Sequence, residues 1–274
     1  MIDPKKILEL TKITKKVRIE ILKMSYFTRS AHTGGALSCI EILVALYFHV
    51  MRNNPKQPDD PERDRLIFSK AHDAKALYAV LSERGYFKKK FLSGYEQNHG
   101  KLPGHATRHC VPGVEVSAGS LGHGLSMAVG IAYAGKNDQK NYRVYTILSD
   151  GECDEGSTWE AILFAGHHKL KNLVAIVDYN KLQGFGYTKD ILDLEPFCDK
   201  WKAFGWDVKN INGHDFREII PTLNKPNSNK PFVIIANTIK GYQGMKQHIN
   251  QISSQYVPPT KEELDETIER LSKS

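Results

Sequence analysis

Two short tracts carry residue types suited to one kind of chemistry. Ser149-Asp150-Gly151-Glu152 and Asp178-Tyr179-Asn180-Lys181-Leu182 each follow an apolar, β-favouring run. Asp150 and Asn180 offer hard oxygens of the type Mg²⁺ takes, and a backbone carbonyl near Leu182 would add a third. A cation held by so few protein groups keeps positions free for a diphosphate and water. Gly151 and Gly156 would let backbone N–H groups approach phosphate oxygens with no Cβ in the way. The plainer reading stands beside this one, because Asp-Gly after a strand is also a common turn. Two other nucleotide-binding designs lack their fingerprints: Gly184-Phe185-Gly186 has neither the third glycine nor the helical continuation of GxGxxG, and no GxxxxGK[ST] occurs.

For the two tracts to act together, neighbouring strands must deliver them to one edge. Arg143 to Leu148 reads as a strand, Thr158 to Leu170 as a helix and Leu173 to Val177 as a strand, the βαβ pattern of a parallel sheet. Both tracts then emerge at carboxyl ends of strands, where open α/β folds bind ligands. The alternation extends in both directions. Leu66-Ile67-Phe68 predicts a short strand and Ala74 to Glu83 a helix; Trp206 to Ile211 predicts a strand, with a helix after Asp215 and a strand over Phe232 to Ala236. A first helix is expected over Pro4 to Ser30, since Ile7, Leu10, Ile13, Val17, Ile21 and Met24 recur at three- and four-residue steps. Ser38 and Glu41 are spaced as a capping box opening a second helix to Met51, and Thr260 and Glu263 as another opening a charged terminal helix to about Leu271. Leu121 to Tyr133 has helical character with Gly122, Gly124 and Gly130 along it, whereas Ser93 to Gly119 holds too many Gly, Pro and His residues for regular structure. So long an irregular stretch inside a compact domain usually serves a function. The expectation is one α/β domain over 1–274, a mostly parallel sheet with helices on both faces.

Composition narrows the classes. The 274 residues are 41% hydrophobic, enough for a substantial core. No run of apolar residues is long enough to span a membrane, and MIDPKKILELTKITKK turns charged too early for a signal sequence, so a cytoplasmic protein is expected. Cys39, Cys110, Cys153 and Cys198 form no CxxC pair, which argues for reduced thiols and against a zinc ribbon or disulfide framework. The net charge of +7 is spread through short mixed-sign runs, a surface that suits phosphorylated metabolites; no zinc finger, RNP-like strand or basic zipper supports nucleic acid.

Taken in order, the motifs resemble the thiamine-diphosphate domain of transketolases along nearly the whole chain. That family's signature opens with Gly-Asp-Gly and closes with Asn; here it appears as Ser149-Asp150-Gly151 through Asp178-Tyr179-Asn180, with Ser149 in place of the first glycine. Ser30-Ala31-His32-Thr33-Gly34-Gly35 resembles the early histidine-glycine loop, Asp64-Arg65-Leu66-Ile67-Phe68-Ser69-Lys70-Ala71-His72 the strand with the second histidine, and Leu102-Pro103-Gly104-His105 the third. Gly119-Ser120-Leu121-Gly122-His123-Gly124 is similar to the loop that holds the cofactor. Ile211-Asn212-Gly213-His214-Asp215 and Thr238-Ile239-Lys240-Gly241 match later landmarks read as more structural than catalytic.

The resemblance implies a three-layer thiamine-diphosphate-binding fold with thiamine diphosphate and Mg²⁺ as cofactors. It assigns Asp150, Asn180 and Leu182 to the metal, and His72, Gly119, Ser120, Leu121, Asp150, Gly151, Glu155 and Asn180 to the cofactor. Glu155 looks like the glutamate that meets its counterpart region across a subunit interface. His32, His72, His105 and His248 become the catalytic candidates, imidazoles whose ordinary pKa suits proton exchange with sugar hydroxyls near neutrality. For each histidine a turn or surface role is the alternative. His248 is offset from the family's tryptophan-histidine pair, so either it fills the late histidine role or that contact is absent. The activity implied is ketol transfer from a ketose phosphate such as xylulose 5-phosphate to an aldose phosphate.

Complete transketolases carry a second, pyrimidine-binding domain with an activating glutamate, and nothing after Lys240 is long enough to encode it. The expectation is therefore the amino-terminal subunit of a split transketolase, paired with a separate carboxy-terminal subunit in an α2β2 assembly. Ala106-Thr107 after His105 leaves room for an unusual sugar. The alpha subunit of a 2-oxo acid dehydrogenase is the main alternative, disfavoured by the His32 loop and the loop from Gly119 to Gly124; a regulatory chain that kept the fold is the non-enzymatic one.

Overall fold

A computed structural model describes residues 2–224 and 229–273. Its frame is a five-stranded sheet of β1 (Arg65–Phe68), β2 (Val144–Ser149), β3 (Leu173–Tyr179), β4 (Asp207–Asn212) and β5 (Phe232–Asn237). The spatial order is β1-β2-β3-β5-β4 and every neighbouring pair is parallel. Central β3 is buried along its whole length, as a parallel strand covered on both faces must be.

Helices fill the connections: α1 (Pro4–Thr28), α2 (Thr33–Ser38), α3 (Ile40–Ala45), α4 (Ala74–Arg84), α5 (Gly124–Asn137), α6 (Gly156–His167), α7 (Thr188–Ile191), α8 (Phe197–Ala203), α9 (Phe216–Leu223), α10 (Ser253–Tyr256) and α11 (Lys261–Lys273). Successive strand side chains point to opposite faces, so the sheet divides the core in two. Tyr145, Ile147, Val174 and Ile176 join Leu10, Val17, Leu43 and Leu77 of α1, α3 and α4. Val144, Leu148, Ala175 and Val177 join Leu125, Ile162 and Trp201 of α5, α6 and α8. This is the expected α/β layering.

Local signals explain most boundaries. Asp3 caps α1 by accepting from Lys5 N at 2.9 Å, with Pro4 at the first helical position. Thr260 and Glu263 form the expected reciprocal box at the start of α11, with Thr260 N donating at 2.7 Å and Glu263 N at 3.2 Å. The other expected box does not form. Ser38 ends α2 with its one hydroxyl proton shared between Gly35 O and Asp178, while Glu41 turns to Arg18 and His214. Strong buried partners have taken both side chains, and the helix is interrupted at Cys39. Between Tyr95 and Gly119 the chain has no helix or extended strand, only a bridge from Tyr95 to Leu102. All four cysteines are free, and no helix among the described residues is long and apolar enough to cross a membrane.

Candidate active site

The carboxyl ends of β1, β2, β3 and β5 share one rim, because the register sets Ser149 beside Asp178 and Asp178 beside Ala236. A cavity of about 350 Å³ opens there. Its wall includes His32, His72, Gly119, Leu121, Asp150, Gly151, Asn180 and Leu182.

Asp150 is 2% exposed, and its two carboxylate oxygens accept from Gly151 N at 2.8 Å and Lys181 N at 2.6 Å. Burial pushes this carboxyl up to about 6, and the nearby Asp178 carboxylate adds to the shift. Such a carboxylate has an electrostatic need for a cation. Asn180 Oδ1 accepts from Leu182 N at 3.1 Å, and Leu182 O accepts from Lys240 Nζ at 2.8 Å. Three hard oxygens therefore stand on two adjacent strand ends, and an ammonium already lies against one of them. That donor set fits Mg²⁺, with the remaining positions falling to phosphate and water. Among the described residues no three His, Cys, Asp or Glu side chains are grouped so as to hold a metal ion by themselves, so an amide and a main-chain carbonyl would have to complete the set.

Beneath the oxygens lies a layer of buried charge. Asp178, fully buried, accepts from Ser38 Oγ, Lys70 Nζ, Thr238 Oγ1 and Asn180 Nδ2, joining α2 to the ends of β1, β3 and β5. Its bond to the Asn180 amide nitrogen leaves Oδ1 as that residue's metal-facing candidate. Lys70 Nζ also donates to Gly35 O at 3.1 Å and pairs with Asp73 at 3.1 Å. Burial opposes this ammonium, yet the Asp178 and Asp73 carboxylates hold it well above the usual lysine range. Burial lowers Lys240, against the pull of Asp73 and Asp150. Asp73 fills space beside Gly35, where a Cβ would stand 2.4 Å from its Oδ2.

A second buried carboxylate shapes the mouth. Glu152 accepts from Ser69 Oγ, from Gly122 N at 3.0 Å and from Ser149 N at 3.3 Å, binding the ends of β1 and β2 to the 119–123 loop. Gly122 has a φ of +80°, and a Cβ there would sit 2.4 Å from Ser157 Oγ. Glycine is required at that turn.

The histidines divide. His32 and His72 face each other edge-on with ring centroids 5.3 Å apart. Burial lowers both, His72 to about 4 against the opposing pull of Asp73, a shift that favours the neutral imidazole in each. His105 is exposed; its Cδ2 would lie 3.3 Å from a Cβ at Gly119, at the outer lip. His248 is not brought to the cavity: Nδ1 lies 2.6 Å from Ser253 Oγ and Nε2 3.4 Å from Glu263. Gln255 and Tyr256 of α10 occupy that edge instead. Ser120 and Glu155 are exposed and lie outside the cavity wall. Ile191 and Leu192 lie outside the cavity, 42% and 55% exposed.

Sequence reasoning missed Lys70, Asp73, Asp178 and Glu152 as parts of one charge layer, and it read Lys240 as a structural landmark. It also missed what aims Lys240. His214 accepts from Ile239 N at 2.9 Å, stacks on Tyr242 at 3.7 Å between centroids, and meets Glu41 at 3.1 Å. Arg18 donates to Glu41 at 2.7 Å and to Tyr242 O at 3.1 Å. The only early signal was Arg18, a cation on the apolar stripe of α1.

A diphosphate-sized crevice at the strand ends of a parallel sheet, floored by hard oxygens and lysines and faced by two histidines, defines a cofactor-dependent α/β enzyme site. The family profile described as the transketolase thiamine diphosphate binding domain matches residues 11–272, and the chain belongs to that family. It is 47% identical over 236 residues to one subunit of the apulose-4-phosphate transketolase of Actinobacillus succinogenes, covering 85% of each chain. It is 43% identical over 244 residues to a 6-deoxy-6-sulfo-D-fructose transketolase subunit of Clostridium sp., covering 88% of each. The solved transketolase of Leishmania mexicana superposes with a TM-score of 0.90 at 28% identity, over 96% of this chain and 41% of that one. The chain thus spans less than half of that transketolase, whereas it matches most of each of the two relatives named as subunits.

Proposed function

We propose that this chain is the diphosphate-binding subunit of a two-chain transketolase, moving a two-carbon ketol unit from a ketose phosphate to an aldose phosphate. The observation that carries this reading is the convergence of Asp150, Asn180, Leu182 O and Lys240 on one crevice that also receives His32 and His72. Asp150, Asn180 and the Leu182 carbonyl would hold Mg²⁺, while Gly151 and Lys240 would take the diphosphate. Gly119, Leu121 and His72 line its approach, with Ser120 between the first two in the chain. Thiamine diphosphate supplies, when bound, the carbanion chemistry that breaks and remakes the C–C bond.

The chain's own task is positioning and proton handling. Neutral imidazoles donate from one nitrogen and accept at the other, so His32 and His72 can take a proton from a sugar hydroxyl and return it to a developing alkoxide. His105, exposed at the lip, contacts the incoming sugar. His248, held by Ser253 and Glu263, is given no part.

A separate subunit supplies the pyrimidine-binding domain and the catalytic glutamate, in an α2β2 assembly. Two features support it. Phe185 on the cavity rim is 89% exposed, and Leu163 and Phe164 on α6 are 56% and 41% exposed, more apolar surface than a solvated face needs. Glu155, exposed just after the Gly151–Asp154 turn, would meet that partner. The two relatives' named substrates, an apulose phosphate and a sulfo-sugar, support a specialised ketose as donor. The test is ketol transfer by the chain reconstituted with its partner, Mg²⁺ and thiamine diphosphate, across ketose and aldose phosphates that include branched and sulfonated sugars. Turnover only with both chains present is the expected result; no transfer with any pair would overturn the reading.

A further inference from the structure

One buried cation belongs neither to the cavity nor to the charge layer beneath it. Lys75, in the first turn of α4, is fully buried and lies outside the cavity wall. Its Nζ donates to Ser25 Oγ at 2.7 Å, Ser30 Oγ at 3.1 Å and Ala31 O at 2.6 Å. The ammonium's three donors therefore end on three uncharged oxygens. Two of these lie in the segment leading directly to His32, which adopts a left-handed backbone with φ 66° and donates its N–H to Gln255 O at 2.6 Å. A histidine held at positive φ needs restraint from its surroundings. The same α4 N-terminus follows the Ala71–Asp73 turn that carries His72.

We propose that Lys75 is a positioning residue, an ammonium clamp that fixes the His32 loop onto α4 and so sets His32 against His72. The inference rests on the proposed ketol-transfer reading for its effect on turnover, though not for its structural part. Burial lowers this lysine to about 8, opposed by the Asp73 and Glu96 carboxylates, with the Tyr95 ring 5.8 Å away. An amine buried against its own solvation is a poor stabiliser of the fold. It persists here where it restrains a reacting group. Loss of its third proton removes one of three donors and loosens the loop, so the clamp weakens as pH rises through about 8.

The experiment uses the wild-type chain and Lys75→Met, with assigned His32 ring and Lys75 Nζ resonances followed by NMR from pH 6.5 to 9.5. In the wild type the His32 resonances should step together with the Nζ titration. The reconstituted complex should lose kcat through the same range while its affinity for thiamine diphosphate holds. In Lys75→Met the step should vanish and kcat should fall roughly ten- to a hundredfold, the scale of a small misplacement of a reacting group. Its thermal midpoint should be no lower than that of the wild type. His32 resonances that ignore the Lys75 titration, or a variant with undiminished kcat, would overturn the proposal. If Lys75→Met does not fold, the wild-type titration decides alone. If the wild-type complex shows no ketol transfer, the functional reading fails while the His32 titration still judges the clamp.

Discussion

Replacing Asp150 with asparagine should stabilise the cofactor-free chain while abolishing its response to cofactor. The carboxyl is raised from an ordinary 3.8 to about 6, by burial first and Asp178 second. A group raised in the folded state contributes stability that is fully present below its unfolded pKa and is lost as pH rises through the folded value. At pH 7.5 the ionised carboxylate therefore costs the cofactor-free chain about 3 kcal/mol, taking about 1.4 kcal/mol per pKa unit. The amide of D150N removes that charge but can accept from only one of the Gly151 and Lys181 N–H groups, and the orphaned N–H costs about 1 kcal/mol. The net gain is about 2 kcal/mol, a rise in Tm of roughly 4–8 °C for a chain of this size. At pH 5, where wild-type Asp150 is largely protonated, the electrostatic part of the gain should shrink to about half. Calorimetry with and without Mg²⁺ and thiamine diphosphate tests both halves. Wild type should gain stability with cofactor by mass action, and D150N should not. A lower cofactor-free Tm for D150N at pH 7.5, or an upshift with cofactor equal to wild type, would refute the reasoning.

Four further outcomes follow from the same structure. Arg18→Met leaves Glu41 buried without its main partner and should cost about 3–5 kcal/mol in urea unfolding at pH 7; against burial, Arg18 and His214 hold Glu41 below the usual glutamate range, a stability that wild type loses as pH falls through the folded value and the variant should lose at higher pH. Gly122→Ala forces a Cβ onto Ser157 at positive φ and should weaken thiamine diphosphate binding in titration calorimetry by at least about tenfold. Lys240→Met removes the ammonium proposed to take the diphosphate and should raise the cofactor Kd by about one to two orders of magnitude, as expected for a lost charge-assisted bond of about 1.5–3 kcal/mol. Phe185→Ser, at an 89% exposed position, should leave the chain's own Tm within about 1 °C and weaken binding of the partner subunit in sedimentation.

The sheet and its metal-facing oxygens were legible because both follow from local pattern. Apolar runs ending in Asp150 and Asn180, joined by one helix, admit few arrangements other than a parallel pair with both tracts at one edge. The charge layer beneath them was not legible. Asp178 gathers Ser38, Lys70 and Thr238 from three distant segments, and no periodicity relates those positions. The same long-range competition removed the expected cap at Ser38, whose hydroxyl turns back to Gly35 O and Asp178 rather than forward to the next helix. His248 shows the converse. Its place in the chain suggested the site, but the local partner Ser253 and Glu263 of α11 hold it to the α10–α11 corner. Spacing reports which residues share an edge; it does not report which of several polar partners a buried side chain chooses.

The contact between Gly35 and Asp73 constrains how this cavity can change over generations. Because the carboxylate occupies the volume that any side chain at 35 would need, the two positions are open to substitution in one order only. Shortening residue 73 first removes one of the two carboxylates on Lys70, which Asp178 still holds, and frees the volume into which residue 35 can grow; enlarging residue 35 first meets an oxygen at 2.4 Å. Homologous chains should therefore show these two sites exchanging bulk as a pair, and a library built for altered sugar preference gains access to larger residues at 35 only through variants already reduced at 73.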